Sequence, residues 1–187
     1  MRDYRAEINK YIELEIEAVK KLDVDAINEV MNVLEDARNR SANIYICGNG
    51  GSAATASHFV CDFNKGVSLE QDKKYNFICL NDNVPNMMAI ANDIGYDRVF
   101  DIPLQNKIKS TDLLIVISGR GNSRNVINAV EYAKKIGAKI IGVTGYNGGI
   151  IMELADYNLH VPIDNMQVTE DIHMMLNHLM MWVISNE

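Results

Sequence analysis

From residue 43 onward the chain repeats one pattern: a short uninterrupted apolar run, a turn, then a stretch with helical spacing. The runs are Asn43 to Cys47, Asn76 to Leu80, Leu113 to Ile117, Ile140 to Val143 and Tyr157 to Val161. Runs of that length without polar alternation predict strands buried on both faces. Between them, Ala53 to Phe63, Val84 to Asn92, Asn125 to Ile136 and Gly149 to Leu154 carry apolar residues at helical intervals. Strands alternating with helices predict an α/β fold with a parallel sheet covered on both faces. Gly137 is well placed to end the third of these helices, where a left-handed residue is wanted.

Ahead of this pattern lie forty residues without glycine or proline. Their apolar positions, Ile8, Tyr11, Ile12 and Ile16, then Ile27, Val30, Met31 and Leu34, predict a helical hairpin over residues 1–40. Its connection falls near Leu22-Asp23-Val24-Asp25, where an aspartate can cap the second helix. A methionine- and leucine-rich helix from about Val168 to Ser185 closes the chain. Residues 1–187 read as a single domain, since no linker or repeat divides them. These extra helices carry more apolar surface than one small sheet needs, which predicts an oligomer.

No stretch has the uncharged apolar length needed to cross a bilayer, and Met1-Arg2-Asp3-Tyr4-Arg5 is not followed by a signal-peptide core. The expectation is a cytoplasmic protein that does not associate with membranes. The three cysteines, Cys47, Cys61 and Cys79, lack metal-knuckle spacing, and no disulfide framework is expected. A formal charge of −7 argues against tracking a nucleic-acid backbone. It leaves room for a small anion, because backbone N–H groups at a helix N-terminus bind phosphate whatever the net charge.

Two turns could do so. Gly48-Asn49-Gly50-Gly51-Ser52 follows the first strand and opens a helix, and Ser118-Gly119-Arg120-Gly121-Asn122-Ser123 does the same after the third. Glycines allow sharp turns and close approach of backbone to ligand, while serine hydroxyls donate to phosphate or sugar oxygens. Gly48-x-Gly50-x-x-Ala53 also satisfies a dinucleotide-binding fingerprint, but the acidic residue expected about twenty positions on is missing, Asp82 being the nearest candidate. Neither turn has the lysine of a Walker loop, so nucleotide hydrolysis is not indicated.

Six titratable side chains follow. His58 and Asp62 are one helical turn apart and share a face, so they could bind one metal or move one proton. The terminal helix brings Glu170, Asp171, His173 and His178. Glu170 and His178, eight residues apart, are separated on a regular helix by about 12 Å of rise. Three arrangements remain open for that pair: convergence of long side chains, a helix that starts after Glu170, or roles in different sites of an oligomer. His173 alone reads as structural.

Gly48 to Ser52, the His58-x-x-x-Asp62 helix, Ala91-Asn92-Asp93-Ile94-Gly95, Ser118 to Ser123, and Glu170-Asp171-Ile172-His173 with His178 together resemble the sugar isomerase (SIS) domain. More narrowly, and over nearly its whole length, the chain is similar to the phosphoheptose isomerases. That resemblance implies a flavodoxin-like five-stranded sheet, a homotetramer with sites between subunits, a zinc ion (Zn2+), and conversion of D-sedoheptulose 7-phosphate to D-glycero-D-manno-heptose 7-phosphate through an enediol. It implies substrate contacts at Asn49, Gly50, Gly51, Ser52, Asn92, Asp93, Ser118, Gly119, Arg120, Ser123 and Glu170, and metal ligands at His58, Asp62, Glu170 and His178. Asp62 would be the base and His178 its acid partner.

Three matched positions depart from the family pattern: Asp62 for glutamate, Arg120 for serine, and Glu170 for glutamine. They bear on reach, on phosphate recognition and on site charge, and suggest a related sugar phosphate as substrate. Two other readings of the same fold are a non-catalytic SIS protein that binds a protein partner, of the kind associated with a replication initiator, and a sugar-phosphate sensor.

Overall fold

The computed structural model describes residues 2–186. Helices α1 (Arg5–Val19) and α2 (Val24–Asn39) precede β1 (Ile44–Gly48), α3 (Gly51–Cys61), β2 (Phe77–Cys79) and α4 (Val84–Asp93). Then come α5 (Asp101–Leu104), β3 (Leu113–Ser118), α6 (Arg124–Ile136), β4 (Lys139–Gly145), α7 (Gly149–Leu154), β5 (Tyr157–Val161) and α8 (Met166–Ser185). The strands form one parallel five-stranded sheet in the order β2-β1-β3-β4-β5.

Because side chains alternate across a strand, each apolar run feeds two cores. Ile44 and Ile46 of β1, with Leu113, Ile115 and Ile117 of β3, join α2, α3 and α8 on one face. Tyr45 and Cys47, with Leu114 and Val116, join α4, α5 and α6 on the other. Burial on both faces is why these strands lack polar alternation.

The N-terminal pair forms as expected, with the Asp23 carboxylate accepting from the Ala26 N–H at 3.0 Å. The two helices find different partners. While α2 lies against β5, α1 leans on α8, where the Tyr11 hydroxyl donates to the Asp171 carboxylate. That bond pushes the Tyr11 phenol up to about 12. A row along α1 and its N-cap, Tyr4, Ile8, Ile12, Ile16 and Val19, is left exposed.

Between α3 and β2 the chain does what periodicity could not foretell. Instead of ending at Phe63, the helix widens into a π-helical turn, Asp62–Val67. There Phe63 packs among Phe59, Tyr75 and Phe77. The Asn64 amide exchanges two hydrogen bonds with the Phe77 backbone, at 2.9 and 2.8 Å, closing the edge of β2. Gly66 lets this turn lie flush on α8, since a Cβ there would stand 2.6 Å from Met181 Cε. The 3-10 turn Tyr96–Arg98 and the short α5 were also absent from the sequence reading. Both are too brief for a periodic signal and are fixed by Arg98, which chelates the buried Asp101 carboxylate.

Candidate active site

A strand order of 2-1-3-4-5 reverses direction between β1 and β3, and open α/β sheets bind ligands at the carboxyl ends of the strands at that point. Both glycine-serine turns lie there. They frame a cavity of about 190 Å³ lined by Asn49, Ser52, Ser118, Arg120, Ser123 and Glu170, among others.

The first turn carries Gly50 at φ +55°, a left-handed conformation natural to glycine. Gly51 opens α3, and a Cβ built on it would lie 2.6 Å from Glu170 Oε2. The acidic group at this helix N-terminus is therefore the chain's own Glu170, which suits the positive end of the helix. Asn49 is held from two sides. It exchanges hydrogen bonds at 2.9 and 2.8 Å with the buried Asn125 amide and accepts from the Tyr96 hydroxyl at 2.8 Å.

In the second turn Gly121 stands at φ +66°, so close to its neighbour that a Cβ would fall 1.8 Å from the Gly148 carbonyl oxygen. Gly145 N–H donates to Gly119 at 2.8 Å, tying this turn to the end of β4. The hydroxyls of Ser118 and Ser123 are 3.4 Å apart. Arg120 rests its exposed guanidinium over the Tyr146 ring, 5.1 Å from its centroid. Among the residues lining the cavity, Arg120 is the cation and Glu170 the anion.

A second locus lies about 10 Å further along α3, two helical turns from Gly51. There His58, Asp62 and His178 bring one ligand atom each to within 4.8 Å of one another. His58 Nε2 is 3.2 Å from Asp62 Oδ2 and 3.2 Å from His178 Nε2, and His178 Nε2 is 3.7 Å from the same carboxylate oxygen. The Asp62 side chain is 12% exposed, whereas both imidazoles reach solvent. Two ligands at about 2.0–2.1 Å from one tetrahedral ion stand roughly 3.3 Å apart, so this donor set and its spacing fit zinc.

Of the four ligands implied by the resemblance, three come together and Glu170 does not. Helix α8 already includes Glu170, capped by Asn165 accepting from Val168 N–H at 3.1 Å. Eight residues of rise then carry Glu170 to the cavity and His178 to the second locus. Asn92 and Asp93 sit exposed at the end of α4, joined to each other at 2.7 Å and outside the cavity lining.

Sequence reasoning missed Tyr96, Asn125, Tyr146 and Asn177, which support site residues from turns, a helix start and, for Asn177, the middle of α8, with no motif of their own. Asn177 donates to Asp62 Oδ2 at 2.5 Å. His173 is structural, as read: its buried Nε2 donates to the Thr144 carbonyl at 3.1 Å and burial lowers its pKa to about 4. His160, 3.1 Å from the Thr144 hydroxyl, is also shifted down by burial.

Residues 3–145 match the SIS domain family. The chain is 38% identical to the phosphoheptose isomerase of Aliarcobacter butzleri over 180 residues, covering 96% of this chain and 90% of that one. It is 33% identical to a probable phosphoheptose isomerase of Thermoplasma acidophilum, covering 95% and 97%. A solved phosphoheptose isomerase from Francisella tularensis superposes with a TM-score of 0.91 at 26% identity, covering all of both chains. One from Neisseria gonorrhoeae gives 0.90 at 28%, covering 99% and 100%. With the sheet order, the two turns and the relatives in agreement, this chain belongs to the SIS domain family and, within it, to the phosphoheptose isomerases.

Proposed function

We propose that this protein interconverts D-sedoheptulose 7-phosphate and D-glycero-D-manno-heptose 7-phosphate. The observation that carries the reading is the meeting of His58 and Asp62 with His178, far apart in sequence, two helical turns along α3 from the first glycine turn. A non-catalytic partner-binding protein or a sensor has no use for such a group, and the enzyme does.

In this reading the phosphate sits at the second turn, taking hydrogen bonds from Ser118, Ser123 and the free N–H groups that open α6, with Arg120 as counter-charge. Glu170 already occupies the start of α3, which leaves the first turn to the sugar hydroxyls, read by Asn49 and Ser52. Asp62 removes the proton from C1 of the ketose, the electron pair forms the C1–C2 double bond, and the C2 oxygen becomes the enediol hydroxyl. Return of the proton to C2, with loss of the O1 proton, leaves the aldehyde at C1. With its Nε2 turned toward Asp62 and His58, His178 donates and accepts the oxygen-bound protons through Nδ1. Zinc held by His58, Asp62 and His178 would act as a Lewis acid on the substrate oxygens. A carboxylate has two oxygens, so Asp62 can serve as ligand and base together.

We further infer a cytoplasmic homotetramer. Two exposed apolar surfaces support assembly, the α1 row and the group Val84, Met88, Ile94 and Tyr96 around α4. Among the described residues, no helix is long and apolar enough to cross a membrane.

Proton exchange in heavy water followed by NMR tests the activity, because enediol formation washes deuterium into C1 or C2 even at equilibrium. The native chain should exchange with sedoheptulose 7-phosphate. Asp62→Asn and His178→Ala should lower the exchange rate by about 10²–10⁴-fold. No exchange with any ketose or aldose phosphate sinks the enzyme reading.

A further inference from the structure

Asn177 is fully buried on α8, one residue before His178 and beside Leu176 and Met180 of the apolar core. Its Oδ1 finds no partner among the described residues. A buried amide left half unsatisfied is unfavourable where an apolar side chain of similar shape would pack without loss. The satisfied half is its Nδ2, which donates to Asp62 Oδ2 at 2.5 Å. That oxygen is the one on which both imidazoles converge, His58 at 3.2 Å and His178 at 3.7 Å.

Asp62 stands at the junction where α3 widens into the π-helical turn. Its carboxylate is on a short stem, so its position depends on a backbone that departs there from regular helix. An outside clamp on the oxygen itself removes the remaining torsional freedom about the carboxylate. Among the described residues, Asn177 is the one whose side-chain N–H donates a hydrogen bond to Asp62, the two imidazoles standing near the same oxygen at 3.2 and 3.7 Å.

We propose that Asn177 is a positioning residue whose amide N–H fixes the Asp62 carboxylate at the meeting point of His58 and His178. The inference rests on the reading of Asp62 as base and ligand. It assigns Asn177 a part in setting that group's aim, without contact to the substrate. The clamp holds the same oxygen whether the group moves a proton or binds a cation.

Asn177→Leu keeps shape and removes the donor, and Asn177→Ser removes its reach with a smaller side chain should the first not fold. Two readouts apply: kcat and KM for proton exchange on sedoheptulose 7-phosphate, and zinc affinity by competition with a chromogenic chelator. Loss of an outer hydrogen bond to a ligating group should lower kcat and weaken zinc binding by about 10–100-fold, with KM within about twofold of native. A loss confined to KM, or kcat and zinc affinity both within about twofold of native, overturns the inference. Exchange by the native chain with indifferent variants overturns this inference alone. Where the native chain shows no exchange, the reading above fails and zinc affinity decides Asn177. A native chain that neither exchanges protons nor takes up zinc overturns both.

Discussion

At the scale of single residues the proposed site divides into groups that line the cavity or the histidine locus and groups that hold them in place. Arg120 is the sharpest case, because it is the cation of the cavity lining and is propped on the Tyr146 ring. A hydrogen bond to a charged group contributes about 1.5–3 kcal/mol, so Arg120→Ala should raise KM about 10–100-fold and leave kcat nearly unchanged. Arg120→Lys should recover only part of that, since an ammonium cannot form the bidentate fork. Steady-state kinetics of the three forms checks both. An unchanged KM in Arg120→Ala would place the phosphate elsewhere. The residues of the two turns and of the His58 to Asp62 helix were legible because glycine, serine and a four-residue spacing have short-range physical meaning. Tyr96, Asn125 and Asn177 were not, since each acts through a contact between distant segments that no local pattern encodes.

Elements show the same division. Both faces of the sheet and most helices were readable from apolar runs, because burial on both sides leaves a continuous signal. The π-helical turn was not, since its packing, Gly66 flush against Met181 on α8, joins distant segments that no local pattern links. Helix α8 settled the spacing problem posed by Glu170 and His178: it is regular through both, so they serve different loci. Its buried His173 makes a prediction of its own. With a folded pKa lowered to about 4 against an ordinary value of 6.5, His173 takes up a proton in the unfolded chain before the folded one. Its contribution to stability is thus present above pH 6.5 and is lost as pH falls toward 4, by about 2 kcal/mol between pH 7 and pH 5. Urea unfolding of native protein and His173→Gln at those two pH values measures it. The variant keeps a donor for the Thr144 carbonyl without a titrating group, and its loss of stability over the same interval should be smaller by that amount. Equal losses would refute the assignment.

For the molecule as a whole, the row on α1 is the main unfinished surface, with Ile8, Ile12 and Ile16 about half exposed. Charge placed there should be incompatible with a buried interface and harmless to an isolated chain. Ile8→Glu with Ile12→Glu should therefore shift the mass found by light scattering from tetramer to smaller species while circular dichroism stays helical. An unaltered mass would mean that assembly uses the α4 surface alone.

Helices α3 and α8 both begin at the cavity and run side by side to the His58, Asp62 and His178 group. On the proposed placement of phosphate and base, the separation of the two loci acts as a ruler for the substrate. With the phosphate fixed at one end, each carbon removed from the sugar draws the carbonyl back along α3, short of the base. A seven-carbon ketose phosphate should be turned over with a higher kcat/KM than its six-carbon counterpart, and a five-carbon one least of all. A flat response to length would mean that the two loci serve separate ligands. Where turnover does fall with each carbon removed, the protein measures its substrate by the pitch of a helix, and retuning it calls for moving the acid-base pair by whole turns, a coarser step than exchanging side chains in the cavity.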